Sequence, residues 1–425
     1  MFYNLIALYQ VMHDVKFPRK SLNNLIYKRL KAVLVSAYQH VPYYREVMQS
    51  VGYDPTKDYS GPEDISILPI TTKETIKKIG IKAFLREGID LNRCFSEDTS
   101  GCSGIPLTVY RGHYERAVQI AKWLRVLSVN GYSVWHKVMS LSPPWRLKEG
   151  RSIVQKFGIL RRLAVNYHNS PKMMVDIFLA YKPDVLYGNR THLDLVALEL
   201  RRRGIQHRGL KILLGGAEVI HEANRQMYRQ HFGVELTETY GSAEMGVMFY
   251  ETPKHNGLYL SEDLTYFEFL DKAGKPVPPG EPGRVVVTDL MGKIMPFIRY
   301  DQGDIVTFEY ADGIRHNDYR IITQIIGRED DKAVLPDGTQ VSFHVFYEVM
   351  DQYSDIFQFR ILQRTRSLFQ ILVVANSEYL RNIKDDMIQN LQERFPPSIK
   401  FDIRNVDRIE ADPSGKIRML ISEVE

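Results

Sequence analysis

Glu238-Thr239-Tyr240-Gly241-Ser242-Ala243-Glu244 opens the stretch whose reading decides the fold, and Pro296-Phe297-Ile298-Arg299-Tyr300-Asp301-Gln302-Gly303-Asp304 closes it. Between them lie Gly257-Leu258-Tyr259-Leu260-Ser261-Glu262-Asp263, an alternating run, a Pro/Gly-rich turn from Lys275 to Gly283, and the strand-like Arg284-Val285-Val286-Val287-Thr288. Each end brings a carboxylate, Glu244 or Asp304, to a glycine-containing turn. Such a pair suits a site where a polyanionic ligand and a metal lie against exposed backbone.

Working outward, Lys211-Ile212-Leu213-Leu214-Gly215-Gly216-Ala217-Glu218 reads as a buried strand entering a glycine turn. A helix from Glu222 to His231 and a strand from Gly233 to Thr239 follow, ending at a Tyr240-Gly241 turn. Strand, helix, strand predicts a βαβ unit and a parallel sheet. Ligands at such sheets sit beyond the carboxyl ends of the strands, where the turns at Gly215 and Gly241 fall.

The 425 residues exceed one ordinary core and predict two or three domains. With 44% hydrophobic and 25% charged residues, the composition is that of a soluble globular protein. A net charge of +5 is too small and too scattered to argue for nucleic acid. Two cysteines, Cys94 and Cys102, make neither a disulfide framework nor a cysteine zinc site, which favours a reducing cytoplasm. Met1 to Met12 lacks a basic n-region and a cleavage site and reads as a helix, and no apolar run reaches the roughly 18 residues that span a bilayer.

Residues 1 to about 50 have helical periodicity, interrupted at Val41-Pro42-Tyr43-Tyr44-Arg45, and Thr71 or Thr72 in Leu68-Pro69-Ile70-Thr71-Thr72-Lys73 is positioned to cap a helix from Lys73. Thr99-Ser100-Gly101-Cys102-Ser103-Gly104 is dense in hydroxyls and glycine and precedes a strand; it reads either as an ordinary hairpin turn or as a loop offering N–H groups to phosphate. Tyr132 to Trp145 is rich in aromatics, a composition more often core than pocket. Arg201-Arg202-Arg203 ends a helix, where cations belong. From Gly327 to Asp331 a boundary is expected; beyond it a tight turn at Leu335–Thr339 leads to two strands, an amphipathic helix and a strand, a small α+β unit. Lys416, after Asp412-Pro413-Ser414-Gly415, taken alone is a solvated surface charge.

Together these segments resemble the adenylate-forming (acyl-adenylate) superfamily over nearly the whole chain, most of all its phenylacetate–CoA ligase-like and CapK-like proteins. The resemblance implies an α/β fold: a large N-terminal adenylate-forming domain with parallel sheet layers (residues 1–327, of which 1–80 form a largely helical lead-in) and a small mobile α+β lid (328–425). It implies a phosphate loop at Thr99, Ser100, Gly101, Cys102, Ser103 and Gly104. Gly215, Gly216, Ala217 and Glu218 would pack on adenine, with Tyr240, followed by Gly241 and Ser242, on its other face. Glu244 would bind Mg²⁺, Asp304 the ribose hydroxyls assisted by Arg328, and Lys416 the reacting carboxylate and α-phosphate, the lid turning about Asp330. Tyr132, Trp135, Trp145, Tyr187 and Gly188 are the candidates for the acid pocket.

The implied reaction is AMP-forming activation of a small carboxylic acid by ATP, followed by acyl transfer, with the thiol of CoA as the expected acceptor. A carboxylate attacking the α-phosphorus needs charge stabilisation and no general base, because it is ionised at pH 7. An amine or hydroxyl acceptor in surface-polysaccharide synthesis, and a nucleotide-binding relic serving as a sensor, are the alternatives. Four departures stand out. Cys102 replaces the usual Ser or Thr, Leu107 replaces a lysine common in the superfamily, the Gly338 loop is unlike the usual one, and the cysteines by which some relatives hold zinc near Glu251–His255 are missing, so no zinc is expected.

Overall fold

The computed structural model describes all residues except 1, 15–18, 100–106, 145–146, 148–152, 312–318, 329–331, 351, 354–355, 411–416 and 425. Its Cα packing divides the chain into two units that interleave in sequence. One comprises residues 1–129 and 239–326, the other 130–238 and 327–425.

The first unit begins with helices Phe2–Asp14, Arg19–His40 and Pro42–Ser50. The Pro42 interruption is only one residue long, because proline lacks an N–H that the first helical position does not need, and Pro42 therefore starts the next helix. Thr72 caps helix Lys73–Ile79, its side chain accepting from the Thr75 N–H at 3.2 Å. Strands Phe95–Asp98 and Thr108–Arg111 form an antiparallel hairpin, and helix His113–Val129 follows. The 239–326 part supplies antiparallel strands, among them Thr265–Leu270, Pro282–Asp289, Tyr300–Tyr310, Leu258–Leu260 and Gly246–Glu251. Their inner faces share one core with the lead-in helices: Leu30, Leu34 and Met48 pack with Phe249, Val285, Val287 and Ile298.

In the second unit strands Arg162–Asn166, Val138–Ser142, Val185–Asn189 and Ile212–Gly216 lie side by side, parallel, in that order. Helices Pro171–Tyr181, Arg190–Arg202 and Glu222–Phe232 connect and cover them, burying Phe178, Val196, Leu200, Tyr228 and Phe232 against Met139, Leu186 and Leu213. Strand, helix, strand thus gives the parallel pairing expected of it. Residues from 332 onward form the smaller α+β domain. It has a tight hairpin, Lys332–Val334 with Gln340–Ser342, then a four-stranded sheet in the order Lys400–Asn405, Leu368–Ala375, Ile356–Thr365, Leu420–Ser422, with helices Phe343–Met350 and Ser377–Gln392. Among the described residues no helix is long and apolar enough to cross a membrane.

Candidate nucleotide site

Two groups of candidate residues are built separately, one in each unit. In the first, strand Leu236–Ser242 turns back into Gly246–Glu251 through Ala243, Glu244 and Met245, so Glu244 sits at the tip of a tight hairpin. The glycine that makes this turn is Gly246, at φ +67°, and not Gly241, which lies within the strand. Gly241 has another duty: a Cβ there would strike the Gly246 carbonyl at a register shift in the ladder. The sequence expectation of a turn at Tyr240-Gly241 is corrected by two to five residues.

Glu244 is buried, and its Oε1 accepts from the Tyr300 hydroxyl at 2.9 Å. Tyr240 stacks on Phe249, centroids 4.8 Å apart and planes at 14°, and donates its hydroxyl to Asp304 Oδ2 at 2.5 Å. Asp304 lies in strand Tyr300–Tyr310, one residue after Gly303, whose φ of +73° breaks the regular pleat. Arg299, at φ +47°, enters the same strand. Its guanidinium donates to Glu268 at 2.8 and 3.1 Å and to the Ser66 and Leu68 carbonyls at 3.0 and 2.5 Å. Thr71 pairs across it: the Thr71 N–H donates to Arg299 O, and the Asp301 N–H to Thr71 O. The Leu68-Pro69-Ile70-Thr71-Thr72-Lys73 motif therefore clamps the strand that carries Tyr300 and Asp304.

Thr99 closes the base of the Phe95–Arg111 hairpin: its Oγ1 accepts from Leu107 N–H at 3.0 Å and its N–H donates to Leu107 O at 2.9 Å. Ser100, Gly101, Cys102, Ser103 and Gly104 lie outside the described residues, as do Trp145, Asp330 and Lys416. The turn bearing Glu244 also rests on side chains that pattern reading missed. Arg111 donates to the Ala243 and Glu244 carbonyls, and Lys122 to that of Met245. Burial pushes the Lys122 ammonium down from 10.5 to about 8. The signal for it was present: Lys122 and Arg125 sit within the buried Ala117, Val118, Ala121 and Val126 stripe of their helix, where a solvated cation would not be.

In the second unit Gly188 and Gly215 stand opposite each other at the carboxyl ends of adjacent parallel strands, as do Asn189 and Gly216. Both glycines make room for Leu193 of the following helix: a Cβ at 188 would approach it to 3.4 Å and one at 215 to 3.1 Å. Ala217 then takes φ +68° and aims Glu218 back at the Arg190 helix. Glu218 Oε2 accepts from the Thr191 N–H at 2.9 Å, and Oε1 from the Thr191 hydroxyl at 2.5 Å and the Ile417 N–H at 3.0 Å, with Arg190 Nη2 3.6 Å away. The residue after Lys416 is thus docked on the Gly-Gly-Ala-Glu turn. Arg328, half-buried, ends strand Arg320–Arg328.

The pocket candidates do not share one edge. Tyr187 and Gly188 lie at the carboxyl end of strand Val185–Asn189. Tyr132 and Trp135 precede Val138, at the amino end of its parallel neighbour, and Trp135 is 58% exposed. Tyr132 instead meets His136 edge-on at 5.8 Å. An aromatic-rich sequence names a segment but not the end of the sheet on which it falls.

Among the described residues no group of three or more His, Cys, Asp or Glu is placed to hold a metal. A Mg²⁺ bridging nucleotide phosphates uses one or two protein carboxylates, its own waters and phosphate oxygens, and Glu244, held through one oxygen by Tyr300, fits that use.

Residues 157–290 match the family model for the AMP-binding enzyme, and residues 334–423 that for the CapK C-terminal domain. The chain is 24% identical to a phenylacetate-coenzyme A ligase of Thermus thermophilus, covering 94% of each chain, and 22% identical to Protein CapK of Staphylococcus aureus, covering 85% of this chain and 81% of that one. Its fold is similar to that of a 2-hydroxyisobutyryl-CoA ligase in complex with 2-HIB-AMP, with a TM-score of 0.79 at 19% identity over 96% of this chain and 90% of the other. With an AMP-binding match, a CapK-type C-terminal match and likeness to both kinds of relative over most of its length, the chain is similar to the adenylate-forming superfamily and, within it, to phenylacetate–CoA ligase-like and CapK-like proteins.

Proposed function

We propose that the chain is an AMP-forming ligase that activates a small carboxylic acid with ATP and passes the acyl group to the thiol of CoA. The observation that carries this reading is the Tyr240–Asp304 pair. A ring stacked on one face by Phe249 and tied through its own hydroxyl to a carboxylate sets an aromatic surface and a double acceptor at a fixed separation. A nucleoside needs that combination, a surface for the base and a carboxylate for the ribose diol.

In the first half-reaction a carboxylate oxygen bonds to the α-phosphorus of ATP while the α–β bridging oxygen leaves with pyrophosphate. In the second, the thiol sulfur bonds to the acyl carbon, its proton is lost to solvent, and AMP leaves. Mg²⁺, when bound at Glu244, offsets the charge on the phosphate oxygens. The phosphate loop from Thr99 to Gly104 supplies donors to the β- and γ-phosphates, Tyr240 and the turn from Gly215 to Glu218 hold adenine, and Arg328 assists Asp304 at the ribose. Lys416 carries the positive charge to the α-phosphate. The docking of Ile417 on Glu218 and of Met419 Sδ 3.5 Å from Arg190 Nη2 supports this, because both fix the chain that follows the lysine. Residues 328–425 act as a lid turning about Asp330, and Tyr187 and Gly188, at the carboxyl edge, line the acid pocket.

The CapK-type match at residues 334–423 favours one second reading, an amine or hydroxyl acceptor. Exchange of labelled pyrophosphate into ATP across a panel of carboxylic acids, repeated with CoA, separates the possibilities. Acid-dependent exchange with thioester formation is expected. Exchange without thioester selects the second acceptor class, and no exchange with any acid overturns the ligase.

A further inference from the structure

The strands on either side of the Glu244 turn pair in the ordinary way up to Ser242 and Gly246, and cationic side chains are added on the turn's carbonyls. Arg111 ends the second strand of the Phe95–Arg111 hairpin. Its Nη2 donates to the Ala243 carbonyl and, at 3.0 Å, to that of Glu244, while Nη1 lies 3.5 Å from Glu97 Oε2 on the hairpin's first strand. Lys122, on the helix that follows, donates from Nζ to the Met245 carbonyl at 2.7 Å, and Gln119 Nε2 reaches the same oxygen at 3.3 Å. All three carbonyls of the turn therefore accept from side chains of one short segment. Arg111 is 6% exposed and Lys122 2%.

Stability alone does not call for this arrangement. Desolvating a cation costs several kcal/mol before compensation, and a tight hairpin turn is ordinarily satisfied by water or by its own backbone. Two buried cations, on a strand and on the helix after it, converge on the backbone of three residues. The middle one presents a carboxylate gripped from the other side by Tyr300. Gly246 closes the bracket, since a Cβ there would run into the Gln119 amide.

We propose that Arg111 and Lys122 are positioning residues for the metal ligand: they lock the backbone of the Ala243–Met245 turn so that the Glu244 carboxylate is presented in one orientation to a nucleotide-bound divalent cation. This rests on the reading of Glu244 as the Mg²⁺ ligand. Neither side chain touches the cation or the substrates; both act through the carbonyls.

The test uses the full chain with Mn²⁺ as probe and α,β-methylene-ATP as a nucleotide that cannot transfer its adenylyl group, with bound Mn²⁺ read by electron paramagnetic resonance. Arg111→Gln and Lys122→Met should each weaken Mn²⁺ binding in the ternary complex by about 10–100-fold, the range seen when the partners that orient a metal ligand are removed. Nucleotide affinity without metal should stay unchanged. Arg111→Lys, which keeps a donor and the charge, should recover most of the loss and is the informative variant if Lys122→Met does not fold. Unaltered Mn²⁺ affinity in folded Arg111→Gln overturns the proposal, as does weakening that Arg111→Lys fails to relieve. Glu244→Gln is measured beside them. If it leaves Mn²⁺ binding intact, the reading of Glu244 itself fails; if it weakens binding while the Arg111 variants do not, only the bracing role fails.

Discussion

Replacing Asp304 by alanine tests the nucleotide site most directly, and its size follows from the geometry. A carboxylate has about four acceptor positions, more than the one on Oδ2 to which the Tyr240 hydroxyl donates. Each hydrogen bond to a charged group is worth about 1.5–3 kcal/mol. Losing the pair made to a ribose diol removes about 3–6 kcal/mol, which is roughly a 10²–10⁴-fold rise in the dissociation constant for ATP. Asp304→Asn keeps the shape and an acceptor but halves the strength of the interaction, so a rise of roughly 10–150-fold is expected. Tyr240→Phe keeps the ring and removes only the hold on the carboxylate, so its effect should not exceed the value of one such bond, about 3 kcal/mol or roughly 150-fold. Calorimetric titration of folded variants with ATP and with 2′,3′-dideoxy-ATP reads these effects. Wild type should prefer ATP by the factor that Asp304→Ala loses, and Asp304→Ala should no longer distinguish the two ligands. Equal ATP affinity in wild type and a folded Asp304→Ala, or undiminished discrimination in the variant, would refute the assignment.

Two further expectations concern the other unit. Lys416→Ala should slow pyrophosphate exchange by roughly 10²–10³, the usual cost of one well-placed electrostatic donor, yet transfer from pre-formed acyl-adenylate at nearly the wild-type rate; equal damage to both steps would return Lys416 to the solvated surface. Asp194 is raised from 3.8 to about 7 by burial, with Glu218 adding to the effect and Arg190, Tyr228 and Gln358 opposing it, so between those pH values only the folded chain keeps the proton and stability falls as pH rises. At ~1.4 kcal/mol per pH unit, the unfolding free energies of wild type and Asp194→Asn should change by about 4 kcal/mol relative to each other between pH 4 and pH 8, and parallel profiles would show that this carboxyl ionises normally.

The parts legible in the sequence are those fixed locally. Thr72 announces its helix because a cap depends on three following residues, and Leu335–Thr339 announces its hairpin because turn chemistry is local. Glu244, Tyr240 and Asp304 were likewise marked by motif. Three features were not readable, each for a physical reason. The glycine of the Glu244 turn was misplaced because Gly241 and Gly246 look alike in sequence; one supplies a positive φ and the other a close backbone approach. Arg111 and Lys122 lie more than 120 residues from the carbonyls they hold, and no periodicity reports such a partner. Tyr132 and Trp135 precede the strand whose third residue, Ser140, stands opposite Tyr187, so they fall toward its amino end, which composition cannot express.

A common device places the contact-making side chains in both units. Arg299 and Ala217 are non-glycine residues with φ of +47° and +68°, a left-handed conformation that costs an L-residue about 1–2 kcal/mol. Each immediately precedes a residue that makes the next contact: Tyr300, which grips Glu244, and Glu218, which takes Thr191 and the Ile417 N–H. A left-handed residue reverses the local run of the chain, so the next side chain leaves in a direction a regular strand would not give it. The surroundings over-determine both reversals. Arg299 is held by Glu268, two carbonyls and the Thr71 bracket, and Glu218 by its two bonds from Thr191. Strain kept in place by that many partners marks positions where direction matters more than stability. Glycine at 217 would relieve the strain but loosen the aim of Glu218. Alanine there keeps the reversal fixed, with the chain after Lys416 seated on the carboxylate it directs.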